Sequence, residues 1–300
     1  MDNLFDSYQD IIPDFKRFKE ILSSPIPTHL RINSIKSDPQ ETLNSLMDKS
    51  LGLGFNDKQY QNLVYCRDLN SPGNLIEYFL GAVHPQAFTS CLAAIALWPK
   101  KDSYVLDMCA SPGGKTSHMA DLMKNSGIIV ANELYSNRRV PLGNTLARLG
   151  VVNTVVTAYQ AQEFPLKHSF DFILADVPCS GEGRFRLSDK TKALRKLRKQ
   201  YAIQDLQKKI IVRGFDLLKE HGVMLYSTCT YNPDENESII DFLLKSRDAE
   251  ILPLSLGPYE DLGLLGWNGR HYDKRIGNTR RFYPHRIDSV GFFMAKIGRR

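Results

Sequence analysis

From Tyr104 onward, short runs of β-branched and aromatic residues alternate with longer stretches of helical periodicity. The runs predict strands at 104–108, 128–132, 153–158, 170–176, 222–228 and 291–297. Strands that alternate with helices imply a mainly parallel α/β sheet, and such sheets bind ligands beyond the C-terminal ends of their strands. Candidate chemistry is therefore sought just after each run. Before residue 80 the texture differs: Leu30-Arg-Ile-Asn33 and Leu63-Val-Tyr-Cys66 read as short strands, and Asp38-Pro-Gln-Glu41 as a capped helix start with proline at its first position. An apolar helical stretch from His84 to Trp98 leads into the first strand of the larger unit. The expected organisation is a small α/β domain over 1–80, with a role in substrate binding, and a catalytic domain over 81–300.

The most informative turn follows the first of these strands. Asp107 ends the strand, Cys109-Ala-Ser-Pro-Gly-Gly114 forms a small-residue loop, and a helical pattern begins near Lys115. Glycines let backbone N–H groups approach a ligand, and the helix N-terminus adds positive potential. Gly114-Lys115-Thr116 superficially suggests a phosphate-binding loop. Cys109 stands where that motif needs its first glycine, and Pro112 removes a donor that would cradle phosphate. A Gly-x-Gly-x-x-Gly fingerprint is also absent. The second strand ends in another acid, Glu133, the position from which a carboxylate grips ribose hydroxyls. An adenosine cofactor without phosphates, such as S-adenosylmethionine, fits this pattern best.

Composition narrows the partner. Hydrophobic residues make up 42% of 300, enough for a substantial core. No apolar run long enough to span a membrane occurs, and the acidic start (Asp2, Asp6, Asp10) lacks a signal-peptide core, so a cytoplasmic protein is expected. The net charge of +6 is unevenly placed: residues 184–213 hold eleven Lys or Arg against two Asp, and Arg270, Lys274, Arg275, Arg280, Arg281 and Arg286 follow. Two such runs in a cofactor-binding chain favour a nucleic acid as substrate over a merely solvated surface. Five scattered cysteines with no Cys-x-x-Cys pair argue against disulfides and against a metal site.

Two of those cysteines sit just beyond strands. Phe170–Asp176 runs into Val177-Pro-Cys179-Ser-Gly-Glu-Gly183, and Gly222–Thr228 runs into Cys229-Thr230. Buried cysteines are usually inert core residues, but polar turns rich in Pro, Ser, Gly and Thr are poor core. Neighbouring strands would bring Cys179 and Cys229 face to face. Asn232-Pro-Asp-Glu235 predicts a helix N-terminus just after Cys229, worth about 0.3–1 kcal/mol to a thiolate, against about 2 kcal/mol needed to half-ionise a thiol at neutral pH. A cation such as Lys115 has to supply the rest.

Asp107–Thr116, Asp176–Gly183, Tyr226-Ser-Thr-Cys-Thr230 with Glu235-Asn-Glu237, and Gly291-Phe-Phe-Met-Ala295 together resemble the motifs of the Sun (NSUN-type) RNA cytosine-5 methyltransferases over about residues 28–297. The resemblance implies a Rossmann-like class I S-adenosylmethionine-dependent methyltransferase fold with a seven-stranded, mainly parallel sheet. It implies that Cys229 adds to carbon 6 of cytosine, that Asp176 carries a proton to ring nitrogen 3, and that Cys179 assists product release. Cys109, Ala110, Ser111, Pro112, Gly113, Gly114 and Lys115 would surround the cofactor together with Asp107 and Asp176. Glu133 would hold its ribose and Arg138 would shape the pocket, while Lys115 would also approach the base. Gln160 stands where the family usually places an acid for the adenine amino group, and its side-chain carbonyl can accept the same bond.

Three alternatives stay open at this level. A DNA cytosine-5 methyltransferase would take Cys179 as nucleophile, and a covalent trap on a 5-fluorocytosine strand separates the two assignments. A non-catalytic RNA-binding assembly factor would show no turnover. Ribosomal RNA is favoured slightly over transfer RNA, and a monomer is the default. Phe185, between Arg184 and Arg186, is either a base-stacking residue or an ordinary packed aromatic.

Overall fold

The computed structural model describes residues 5–186 and 201–299. Two sheets organise them. The smaller is antiparallel, in the order β2-β3-β1-β4, from β1 (Thr28–Ile32), β2 (Leu53–Gly54), β3 (Leu63–Cys66) and β4 (Val83–Pro85). Leu30, Ile32, Val64, Cys66 and Val83 pack beneath Leu43 and Leu46 of a helix over Pro39–Met47. That helix starts where the sequence places its cap: the Asp38 carboxylate accepts from Gln40 N and Glu41 N, and Pro39 occupies the first turn.

The larger sheet has nine strands. β5 (Tyr104–Asp107), β6 (Ile128–Asn132), β7 (Thr154–Thr157), β8 (Phe170–Asp176) and β9 (Leu218–Thr228) form its parallel part, in the order β7-β6-β5-β8-β9. β10 (Ala249–Ile251), β11 (Glu260–Leu262), β14 (Arg280–Phe282) and β15 (Phe292–Arg299) join antiparallel, while β12 (Gly266–Trp267) and β13 (Arg270–His271) make a separate hairpin. The mainly parallel character expected from the sequence holds in β5 to β9. The strand count exceeds seven because the short β10 and β11 also pair, and β14, with two arginines in three residues, reads as a charged segment until its partners are known.

Neighbouring residues point to opposite faces of this sheet, and both faces are covered. Leu106, Ile173, Met224 and Tyr226 pack against helices Tyr201–Asp216 and Glu237–Ser246, whereas Val105, Leu174, Leu225 and Met294 pack against helices Phe88–Leu97 and Gly114–Leu122. Burial on both sides explains why these strands read as continuous apolar runs rather than alternating ones. The chain reverses its direction of travel between β5 and β8, which opens a crevice at their C-terminal ends.

Two local expectations fail. Val83–Pro85 is a strand, because the free edge of β1 pairs with it, and the helix expected from His84 begins at Phe88. The helix expected at Asn232 begins at Glu237. Asn232 does cap a turn through Asp234 N, but the Glu235 carboxylate turns away to other partners and the turn does not propagate.

The two sheets meet at Arg31 of β1. Its guanidinium is fully buried and donates to Gln86 Oε1 (3.2 Å), Ser117 Oγ (2.9 Å) and Asp121 Oδ2 (3.2 Å), the last two on the helix that follows the glycine loop. Residues 5–22 pack on the larger sheet's loops instead: Phe5, Tyr8, Ile12, Phe18 and Leu22 cluster with Phe185, Tyr231 and Tyr283.

Candidate active site

The loop after β5 is shaped by one glycine and held by one asparagine. Gly113 adopts φ +102°, a left-handed conformation that side chains disfavour, and its N–H closes a turn on Ala110 O before the helix starts at Gly114. Buried Asn132, at the end of β6, donates to Met108 O and Tyr159 O while its side-chain oxygen accepts from Tyr159 N and Thr157 Oγ1, and its backbone carbonyl accepts from Ala110 N. It pins the loops after three adjacent strands, a role its place in an apolar run did not reveal.

Acids converge on this loop. Asp107 is buried; its Oδ2 accepts from Thr116 Oγ1 at 2.7 Å, while Oδ1 has no hydrogen-bond partner among the described residues. Burial pushes its carboxyl up to about 7, only partly offset by the Thr116 bond. Glu133 is also buried, accepts from Tyr135 N, and lies 3.5 Å from Arg138 Nε. Arg138 in turn donates to Ser111 O, and its own carbonyl accepts from Ser111 Oγ, so it ties the loop to the next helix. Cys109 is pushed well up, first by burial and then by the Asp107, Asp176 and Glu133 carboxylates. Gln160 is exposed and its carbonyl already accepts from Gln162 Nε2, which leaves it little hold on an adenine.

The second half of the site stands at the ends of β8 and β9. These strands are parallel neighbours, with Asp176 in register with Ser227, so their following turns lie side by side. Cys179 Sγ and Cys229 Sγ are 3.4 Å apart. Asp176 accepts from Ser227 Oγ (2.8 Å) through Oδ1 and from Lys115 Nζ (2.7 Å) through Oδ2. Burial opposes the charge on Lys115, yet the adjacent Asp176 carboxylate wins and holds its ammonium above the usual range. Lys115 thus joins the glycine loop to the cysteine turns.

The two thiols are driven in opposite directions. Cys229 is held below the ordinary thiol value, chiefly because Cys179 donates to it, with Lys115 and Arg184 assisting against burial. Cys179 is pushed up by the same bond and by burial. Of the two, Cys229 is the sulfur that loses its proton more readily and Cys179 the one that keeps it. The helix invoked from the sequence starts eight residues beyond Cys229, so the stabilising charges are Lys115 and Arg184 instead.

Glu235 and Asn236 fix both turns. Glu235 Oε2 accepts from Ser180 N (2.9 Å) and from Gln207 Nε2, which also donates to Pro178 O. Asn236 accepts from Thr228 Oγ1 and donates to Thr230 O, on either side of Cys229. Glu237 forms a buried ion pair with Arg281, which also donates to Tyr231 O. In the sequence Glu235 reads as cap chemistry and Glu237 as a motif residue; neither long-range partner is visible there.

The second basic stretch is largely neutralised within the fold: Arg275, Arg280, Arg281 and Arg286 pair with Asp273, Glu260, Glu237 and Asp261. It is therefore not the open cationic surface its sequence suggested. Of the first run, positions 187–200 lie outside the described residues. Phe185 is 7% exposed and packs edge-on to Phe5, an ordinary packed aromatic. Among the described residues no cluster is suited to a metal ion, and no helix is long and apolar enough to cross a membrane.

A family model described as "16S rRNA methyltransferase RsmB/F" matches residues 94–298, which span both halves of this site. The chain belongs to this RNA cytosine-C5 methyltransferase family. A Pyrococcus abyssi tRNA (cytosine(49)-C(5))-methyltransferase is 35% identical, over 95% of this chain and 92% of its own length. A human 28S rRNA (cytosine(4447)-C(5))-methyltransferase is 33% identical over 99% of this chain, which spans only 37% of that protein. A crystal structure of a methyltransferase homologue from Pyrococcus horikoshii superposes with a TM-score of 0.83 at 32% identity, covering 98% of this chain and 94% of that one. The matched segment contains the acids and glycines after β5 and β6 as well as the paired thiols after β8 and β9. Family membership carries S-adenosylmethionine dependence with it.

Proposed function

We propose that this chain methylates carbon 5 of a cytosine in RNA, with Cys229 as the nucleophile and S-adenosylmethionine as the methyl donor. The observation that carries the reading is the 3.4 Å contact between Cys179 and Cys229 beside the Lys115–Asp176 ion pair. The donor's fit rests on acceptors at two strand ends: Asp107 Oδ1 has no side-chain partner among the described residues, and Glu133 stands at the next strand end. Asp107, Glu133 and the loop from Cys109 to Lys115 would hold it, Arg138 would brace that loop, and Asp176 would border it. When bound, S-adenosylmethionine supplies an electrophilic methyl group.

The chain's own residues do the remaining work. The Cys229 thiolate adds to carbon 6 of the base, which makes carbon 5 nucleophilic and divides one hard step into two. Asp176, an ion-paired carboxylate at rest, passes a proton from the Lys115 ammonium to ring nitrogen 3 as charge builds there. Cys179, once its own proton has passed to water, takes the carbon-5 proton of the methylated adduct as the carbon 6–sulfur bond breaks; Cys229 leaves as a thiolate and the proton on nitrogen 3 returns to Asp176. The small antiparallel sheet and the exposed Arg184 contribute RNA contacts. An unpaired or looped cytosine suits this crevice, because a base in a duplex has to be flipped out first.

The test is transfer of labelled methyl to unmodified transfer RNA and ribosomal RNA in parallel, with wild type and Cys229→Ala, followed by nucleoside analysis. Transfer RNA is placed first, since the archaeal relative aligned along nearly its whole length acts on it. Label in 5-methylcytidine that disappears in the variant supports the reading; transfer to DNA alone, or a nucleophile that proves to be Cys179, overturns it.

A further inference from the structure

The cysteine contact needs support that neither the cofactor loop nor the strand ends supply. Glu182, three residues after Cys179, is buried, and its carboxylate accepts from Thr230 Oγ1 at 2.8 Å and from Tyr8 Oη at 3.1 and 3.2 Å. Thr230 follows Cys229 directly, and its hydroxyl is 2.7 Å from Ser180 Oγ, next to Cys179. Since the Thr230 proton is given to Glu182, its oxygen accepts from Ser180 and from Asn232 N. One carboxylate therefore sets the direction of the hydroxyl chain that laces the two cysteine turns. A second lacing is backbone: Gly183 N donates to Cys229 O.

Tyr8 closes this arrangement from the start of the chain. It is buried in the aromatic cluster against Phe5 and Trp267, so its hydroxyl has a fixed aim. We infer that Tyr8 and Glu182 are positioning residues for methyl transfer: they orient the Ser180 and Thr230 hydroxyls and through them hold Cys179 in donating contact with Cys229. This rests on the reading above that Cys229 is the nucleophile. Loss of the Tyr8 donor favours a protonated Glu182, which donates rather than accepts. Thr230 then donates to Ser180 Oγ instead of accepting from it, which turns the Ser180 hydroxyl and shifts the Cys179 side of a turn whose backbone Glu235 still anchors. Burial already pushes the Glu182 carboxyl up to about 7, so the reversal is within easy reach.

The experiment compares wild type, Tyr8→Phe and Glu182→Gln. Each folded protein is alkylated with iodoacetamide across a pH series, the label is assigned to Cys229 or Cys179 by peptide mass, and kcat and KM are measured for RNA and for S-adenosylmethionine. The expected result is a kcat about tenfold lower, with both KM values within about twofold, and a preference for labelling Cys229 that shrinks by a similar factor. Tyr8→Phe keeps the ring and its packing; Glu182→Gln keeps the shape and tests the same acceptor if the first variant folds poorly. Unchanged kcat and unchanged labelling preference in both variants overturns the inference, as does a lower melting temperature with the preference intact. Alkylation requires neither RNA nor methyl donor. A wild type that prefers Cys229 but methylates no RNA would therefore sink the reaction assignment and leave the positioning role supported.

Discussion

Cys109 and Cys229 occupy equivalent places, each half-buried in the turn after a parallel strand of the same sheet. Their chemistry diverges. Cys109 faces three carboxylates, so burial and charge both keep its proton on; Cys229 faces a thiol donor, a lysine and an arginine, which outweigh the same burial. Desolvation is common to both, so the neighbouring donors and charges decide which thiol gives up its proton more readily. Asp176 lies between the two regions and raises both thiols. The Lys115 bond to Asp176 limits that effect on the Cys229 side.

This contrast can be broken most severely at the sulfur itself. Cys229→Ala should abolish both methyl transfer and the covalent adduct on 5-fluorocytosine RNA, a loss on the order of 10⁴-fold or more. Cys109→Ala should retain the adduct, and a gel that resolves protein–RNA conjugates distinguishes the two. Next in size is a pH effect on the cofactor half. Asp107 titrates near 4 in an unfolded chain and is pushed up to about 7 by burial in the native one. Between those values the native state holds a proton that the unfolded state has released, so stability is full below about pH 4 and declines as pH rises through about 7. The apoprotein should lose up to about 4 kcal/mol of its denaturant stability over that window, and Asp107→Asn should flatten the curve. Glu182, also raised to about 7, adds a slope of the same sign that remains in the variant.

A smaller change should move Cys229 toward the behaviour of Cys109. The side chains of Lys115 and Asp176 are 15% and 27% exposed, so Lys115→Met should cost somewhat less than a fully buried pair, about 2–3 kcal/mol or on the order of 10² in kcat. The pH midpoint for alkylation of Cys229 should rise at the same time. The smallest expected effect is at Gln160. An exposed neutral hydrogen bond is worth about 0.5 kcal/mol, so Gln160→Ala should alter S-adenosylmethionine affinity by no more than about threefold by calorimetry. Glu133→Ala should weaken it by about tenfold or more, as expected for a bond to a charged group.

What the chain reveals before folding follows from the range of each interaction. The strands from Tyr104 to Thr228 are legible because burial on both faces makes them apolar runs, and Gly113 and Gly114 mark a turn wherever they occur. Asp107, Glu133, Asp176, Cys179 and Cys229 could be singled out because parallel strands collect chemistry at one end. Their neighbours could not. Glu235 read as a helix-cap residue and Glu237 only as part of a motif, yet they serve Ser180 N, Gln207 and Arg281 across the fold. Arg281 read as part of a cationic surface and is 2% exposed. Tyr8 lies 174 positions from Glu182, a pairing that no local pattern encodes. Short strands such as β10 and β14 escape notice for a related reason: their stability comes from the ladder they join rather than from their own composition.

The Arg31 bridge bears on how the molecule can be cut. A fragment beginning at residue 81 would keep every motif of the methyltransferase half yet strip the guanidinium from Ser117 and Asp121, leaving that carboxylate with the more distant Lys124 ammonium at 3.8 Å. The same cut opens Asp121 to water, so the loss is that of hydrogen bonds to a charged group, about 1.5–3 kcal/mol, still a sizeable share of a domain's whole stability. The helix it would loosen is the one that starts at Gly114. The small antiparallel sheet is thus a chaperoning half for the cofactor loop, carried in the same chain.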